Sequence, residues 1–424
     1  MLHSSSFIFL GILIIMILYS LIKPWLSKDP SEIWSPISMI AFTLLYYVVK
    51  PSFGDLSMYG ANLASNQYLF YLTAVVFYGC ILYAFSRPTK KEFSKWNSYF
   101  NIENSTRLGF VLFLIAMVCY VPFRGLRTSI SADDATIVTA RTGLVSYFID
   151  LISLFVGACC LAYVGLKNKA GMGIKERAAA LIIIYFTMVL FIVGGFRYRI
   201  VILALALATT YHLYPKPRKI NYALLIPLAV VLYLGFAVMD VSRRYGTGID
   251  MDIAKNVTLQ DATKGAGESA DVLCFSIVTT DNYSEHGGFA GFEPIVTAIL
   301  MPIPRAILPW KPNAEYIHEA ENRQGMLGQG AAFLVFTEAY MSFGMIGVIL
   351  YGLFIGWFCK RVWYNYRVNP NSIGALLFLS LLNGFCYQWI SRGYMASAFN
   401  DFVYFVVLPF WLTALYNRFN RRKI

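Results

Sequence analysis

"GGFRYRIVIL", residues 194–203, is the stretch on which the architecture turns. Residues 178–193 before it and 200–211 after it carry no charge and read as membrane-spanning, so Arg197 and Arg199 share a very narrow gap. The surrounding chain has the same character. Of its 424 residues 58% are hydrophobic and 14% charged, with a mean hydropathy of +0.58, which is the composition of a polytopic membrane protein. A spanning helix needs about 20 mostly apolar residues. Eleven segments approach that: 7–22, 34–49, 68–86, 107–123, 143–166, 178–194, 198–214, 220–239, 331–359, 373–390 and 397–416. The first has neither a cationic leader nor a small-residue cleavage site, so it reads as a retained helix. The expected fold is all-α.

Charge orients these helices. The net charge of +12 would suit nucleic acid, but its distribution excludes that partner. Alternate connections hold Lys23 and Lys28; Arg87, Lys90, Lys91, Lys95 and Arg107; Lys167, Lys169, Lys175 and Arg177. They continue with Lys216, Arg218 and Lys219; Lys360, Arg361 and Arg367; and Arg418, Arg421, Arg422 and Lys423. That is 21 of the 35 basic residues, accompanied by five of the 23 acids. The alternation is unbroken, which under the positive-inside rule puts the N-terminus outside and the C-terminus in the cytoplasm. The basic charge therefore reports topology and not a partner, and the lipid bilayer is the partner that the apolar segments imply.

Residues 1–239 then hold helices one to eight, 240–330 form a large external loop, and 331–424 hold helices nine to eleven with a basic tail. The loop carries 12 acidic and seven basic residues, and a connection this long is usually functional. Within it "GFEPIVTAILMPIPRAILPW", 291–310, is apolar but broken by four prolines, which suits a re-entrant or interfacial segment with short helices. Six of the seven cysteines lie in or beside apolar segments, and Cys274 alone falls in the loop, so no disulfide framework is expected there. The four histidines stand at no metal-ligand spacing, and "HEAEN", 318–322, has Asn322 where a zincin has its second histidine. The "DMD" triplet at 250–252 reads as ordinary acidic loop, so neither a metal nor another cofactor is expected.

Outside the cytoplasmic loops the cations are ten Arg and four Lys. No orientation rule favours cations there, and the planar guanidinium fork suits phosphate better than an ammonium. Snorkelling to headgroups accounts for such residues singly, and for ten together less well. Arg141, Arg197, Arg199 and Arg392 stand at the outer ends of the fifth, seventh and eleventh segments, where a cation opposes the helix dipole. An anion held at such a mouth reverses the sign, because free N–H groups and guanidinium then face one charge. A lipid diphosphate fits. Arg197 and Arg199 share a face if the turn is extended and diverge by about 200° if the helix has begun.

A second cluster is "PRAILPWKPNAEYIHEAENRQGMLGQGAAFLVFTEAYMSFGMIG", 304–347. Arg305 and Lys311 lie in a proline-fixed stretch, Gln329 lies between Gly328 and Gly330, and Glu338 falls about two turns inside the ninth segment. An intramembrane carboxylate is a functional hypothesis by default. Glu338 reads either as a general base for a sugar hydroxyl or as half of a buried Glu–Arg pair. His318 is an alternative base. Trp310, Tyr316 and Tyr340 are candidate sugar-stacking rings, and Gly352 with Gly356 reads as a small-residue helix contact.

"PRAILPWKP" followed by "GQGAAFLVFTEAYMSFGMIGVILYGLFIGW", with eleven helices and a large external loop before the ninth, resembles the Wzy-type O-antigen and capsule polymerases. The resemblance implies an inverting glycosyltransferase of the GT-C class, working without metal at the outer face of the inner membrane. It implies undecaprenyl-diphosphate-linked oligosaccharides as substrates and a chain-length regulator protein as a partner. Arginines then hold the leaving diphosphate: Arg197, Arg199 and Arg244 in catalysis with Glu338, and Arg141, Arg243, Arg305, Lys311, Gln329, Arg392 and His318 in binding. Other readings are a lipid-linked oligosaccharide flippase and an O-antigen ligase. The flippase lacks the internal repeat its class favours, and His318 lacks the fuller motif of the ligases.

Overall fold

The structure is a computed structural model that describes residues 4–27, 29–54, 56–88, 105–120, 148, 150–167, 173–193, 197–218, 243–244, 248–249, 267–304, 307–312, 315–323 and 332–421. Lipid offers no partner for backbone N–H and C=O groups, so a chain this apolar is driven into helices that satisfy their own. The helices are α1 (Ser4–Leu26), α2 (Pro36–Leu44), α3 (Gln67–Ser86), α4 (Ser105–Tyr120), α5 (Leu154–Lys167), α6 (Ile174–Val193) and α7 (Arg197–Leu213). They continue as α8 (Gly267–His286), α9 (Glu293–Leu300), α10 (Glu315–Arg323), α11 (Val335–Val368), α12 (Ile373–Ser391), α13 (Met395–Phe402) and α14 (Leu408–Arg421). A π-helical turn at Leu45–Val49 prolongs α2, and another at Val403–Val407 joins α13 to α14. The described strands are a single antiparallel pair, β1 (Arg243–Arg244) and β2 (Gly248–Ile249).

Five stretches are long and apolar enough to cross a membrane: Ser5–Leu26, Gln67–Ser86, Val335–Val368, Ile373–Ser391 and Met395–Tyr416. Ser105–Tyr120, Leu151–Lys167 and Tyr198–Leu213 are shorter apolar helices. The chain is therefore a helical, multi-pass membrane protein. The expected span 220–239 lies outside the described residues.

Among the described elements α11 packs most extensively on α3. Gly352 and Gly356 make that approach possible. A Cβ at Gly352 would come 2.7 Å from the Phe77 carbonyl oxygen, and one at Gly356 would come closer still to that of Ile81. The small-residue contact expected from the sequence is present.

The ninth segment departs from expectation. It starts at Val335 and runs to Val368, with a break at Phe343 and Gly344. Gly344 takes φ 60° and ψ −145°, a region essentially reserved for glycine. The carbonyls that the break frees on Met341 and Ser342 accept the Ala290 and Gly291 N–H groups, each at 2.9 Å.

The stretch 240–330, expected as an external loop, holds more structure than the sequence suggests. Its helix α8 is driven into the core, where Cys274 is fully buried. Cys274 is therefore a packing residue and not a loop cysteine. Asp281 of α8 accepts the Ser65 and Asn66 N–H groups at 3.1 and 2.9 Å, satisfying donors at the start of α3. Contacts elsewhere likewise join connections that the charge pattern puts on one side: Arg367 reaches Asp29 at 2.6 Å, and Arg107 reaches Glu176 at 3.4 Å.

Candidate functional site

Glu338 is fully buried in the first helical stub of α11. That stub is gripped before it begins. Leu334, its N-cap, donates its N–H to Ser276 Oγ of α8 at 2.9 Å. The preceding Phe333 carbonyl accepts the Gly393 N–H at 2.6 Å. Only glycine fits this second grip, because a Cβ at position 393 would lie 2.5 Å from the Leu334 oxygen. The turn from α12 to α13 is thereby laid across the start of α11.

This grip sets what the carboxylate meets. Glu338 Oε2 accepts the Met395 N–H at 2.6 Å, and Met395 is the first residue of α13. Glu338 Oε1 accepts the Tyr316 hydroxyl of α10, also at 2.6 Å. A carboxylate at a helix N-terminus satisfies an orphan donor and lies at the favourable end of the dipole. Among the described residues no arginine pairs with it, and the place of the Glu–Arg pair considered from the sequence is taken by a Tyr–Glu–backbone bridge. Tyr316 is itself anchored by its N–H to Glu293 Oε1 at 3.4 Å. Burial first, and the neighbouring Glu338 charge second, hold its phenol proton far above the ordinary tyrosine range.

The expected site residues divide sharply. Arg197 is the first residue of α7 and Arg199 lies within its first turn, so the extended-turn alternative is removed. Arg199 is 2% exposed, with its guanidinium 5.3 Å from the Tyr198 ring centroid. Arg243 and Arg244 form β1, opposite Ile249 and Gly248; their side chains, with that of Arg197, lie outside the described residues. So do Arg141, Arg305 and Gln329.

Arg392 is half-buried and C-caps α12, its N–H donating to the Gln388 carbonyl at 2.9 Å. It does stand before α13, but the anion at that helix mouth is Glu338. Lys311 is buried, and its Nζ donates to the Met301 and Ile303 carbonyls at 2.8 and 3.0 Å. It closes the proline-rich turn after α9, a structural use that the sequence reading did not assign it. His318 projects outward, 3.8 Å from Glu321. Of the candidate stacking rings, Tyr316 and Tyr340 are buried while Trp310 is exposed. Among the described residues no group of three His, Cys, Asp or Glu side chains converges as a metal site would require.

A sequence model of the family described as O-antigen polysaccharide polymerase Wzy matches residues 1–423. The chain belongs to that family. Comparison with curated proteins and with solved structures finds no match. Within this Wzy-family polymerase, reading the sequence missed three things about the site. Tyr316, one of three candidate stacking rings in the sequence, is buried and its hydroxyl serves Glu338. Met395 contributes only a backbone N–H, which no side-chain pattern announces. Asp401, inside the final span, is also held, accepting the Gln388 side-chain amide. Its place in an apolar helix was the available signal.

Proposed function

We propose that this O-antigen polymerase joins oligosaccharide repeat units carried on undecaprenyl diphosphate at the outer, periplasmic face of the inner membrane. The observation that carries this reading is the family match along the whole chain. The reaction is an inverting transfer of the GT-C type that needs no metal. A terminal sugar hydroxyl of one unit attacks the anomeric carbon of another unit's reducing end. The bond from that carbon to the diphosphate oxygen breaks, and the lipid diphosphate leaves with the electron pair. Arg197, Arg199 and Arg244 neutralise the charge that develops on it, with Arg141, Arg243, Arg305 and Arg392 completing the anion's surroundings. Glu338 takes the hydroxyl proton. Both of its oxygens hold a hydrogen bond, but a carboxylate oxygen has a second lone pair. A chain-length regulator protein docks against the external surface.

The test is direct. Purified protein is given synthetic undecaprenyl-diphosphate repeat units and the products are resolved by size. A ladder is expected, and its absence with every cognate unit would overturn the polymerase reading. If a ladder survives Arg197→Ala, Arg199→Ala and Arg244→Ala together, the arginines do not hold the diphosphate.

A further inference from the structure

Buried hydroxyls on these helices usually bond to the carbonyl one turn back. Thr43, Thr209, Thr210, Ser276 and Ser342 all do so, at 2.6–2.9 Å. That pattern fails at Ser6 of α1 and Thr187 of α6, and again on the elements that meet around Glu338. Thr337 Oγ1, Ser391 Oγ and Thr297 Oγ1 have no hydrogen-bond partner among the described residues, nor do the carbonyl oxygens of the Gln388 and Asn400 side chains. All five residues are more than nine-tenths buried.

The elements carrying them meet at one place. Thr337 precedes Glu338 in the α11 stub. Gln388 and Ser391 lie one turn apart at the end of α12, which Gly393 ties to Phe333. Asn400 belongs to α13, the helix whose first N–H bonds Glu338, and α9 with Thr297 packs along α13. The two amides are held firmly by their nitrogens: Gln388 donates to Asp401, and Asn400 donates to Asp150 at 3.0 Å. Each carboxylate therefore fixes an amide so that its oxygen is left over. An orphaned buried polar group costs about 1–3 kcal/mol, and native proteins keep only a few per 100 residues. Five of these orphaned groups lie on elements that converge at one carboxylate, and it is their grouping that points to a ligand. Two are pure acceptors and three are hydroxyls that accept or donate. A ligand rich in O–H groups satisfies that set, and a phosphate, which brings acceptors, does not.

We infer that Thr297, Thr337, Gln388, Ser391 and Asn400 form a saccharide subsite beside Glu338, taking the hydroxyls of the acceptor sugar. This rests on the polymerase reading for its role, and the two are separable by experiment. The probe is the free oligosaccharide repeat unit, without lipid or diphosphate, bound to the full chain in nanodiscs. Its affinity is measured by saturation-transfer NMR alongside the thermal midpoint of each variant. Thr337→Val and Ser391→Ala remove an orphaned hydroxyl without breaking a hydrogen bond within the protein, so thermal stability is expected to stay level or rise. Affinity is expected to fall roughly fivefold to tenfold for each lost bond. Unchanged affinity in both variants overturns the subsite and marks the orphans as packing defects or water sites. If either variant fails to fold, the wild-type chain decides. Oligosaccharide that neither raises its thermal midpoint nor slows alkylation of a cysteine placed by Ser391→Cys overturns the proposal. A chain that binds the oligosaccharide but makes no ladder refutes the polymerase reading alone.

Discussion

At the residue scale, Glu338 is bound to two groups that need it. Replacing it with glutamine keeps an oxygen for the Met395 N–H and turns the amide nitrogen toward the Tyr316 hydroxyl, which can accept. Glu338→Gln is therefore expected to fold with near wild-type thermal stability while losing turnover at unchanged KM, measured by ladder formation. Glu338→Ala strands both donors beside a new cavity and is expected to cost about 2–4 kcal/mol in thermal denaturation. Asp29 offers a pH-dependent counterpart. Partial burial pushes its pKa up, but hydrogen bonds from the Ser31 side chain and backbone, with the Arg367 charge, outweigh this and lower it below 3.8. A depressed carboxylate pKa stabilises the fold fully above the unfolded value, and that contribution fades as pH falls through the lower folded value. Asp29→Asn is expected to flatten the stability profile in that acidic window, read from thermal midpoints between pH 5 and pH 3.

Elements carry the next set of constraints. Gly344 allows α11 to break and resume, so Gly344→Ala is expected to cost about 1–3 kcal/mol from backbone strain alone, visible as a lowered thermal midpoint. Its neighbour α8 shows why part of the fold was hidden in the sequence. The buried face of α8 includes Ser276, Thr279 and Thr280. Two of those hydroxyls return to their own helix, Ser276 to the Val272 carbonyl and Thr280 to the Ser276 carbonyl. A face that solves its polarity internally looks like loop to any scale of hydropathy. By contrast α3, α11 and α12 were legible, because long uncharged runs have no other physical outcome. The Gly352–Gly356 contact was legible for the same reason: spacing within one helix is a local property. The partners of Glu338 are not local. Tyr316 lies 22 residues before it and Met395 57 after it, and only the packed molecule brings them together.

For the whole molecule, the alternation of basic loops makes a prediction independent of any chemistry. Cysteines introduced by Ser65→Cys and His286→Cys are expected to react with an impermeant maleimide from the outer side. One introduced by Lys423→Cys is expected to react only after permeabilisation. Labelling of all three from one side would invert or break the topology.

The break in α11 also bears on depth. Lys360 and Arg361 mark the inner end of this helix in the charge pattern, and about 20 residues cross the hydrocarbon. Counting back from them arrives near residue 340, next to the break at Phe343 and Gly344. The stub beyond it is then a bracket at the waterline. Glu338 is then expected at the level of the lipid headgroups, where a lipid-borne phosphate also lies, and substrate would not have to leave its own layer to reach it.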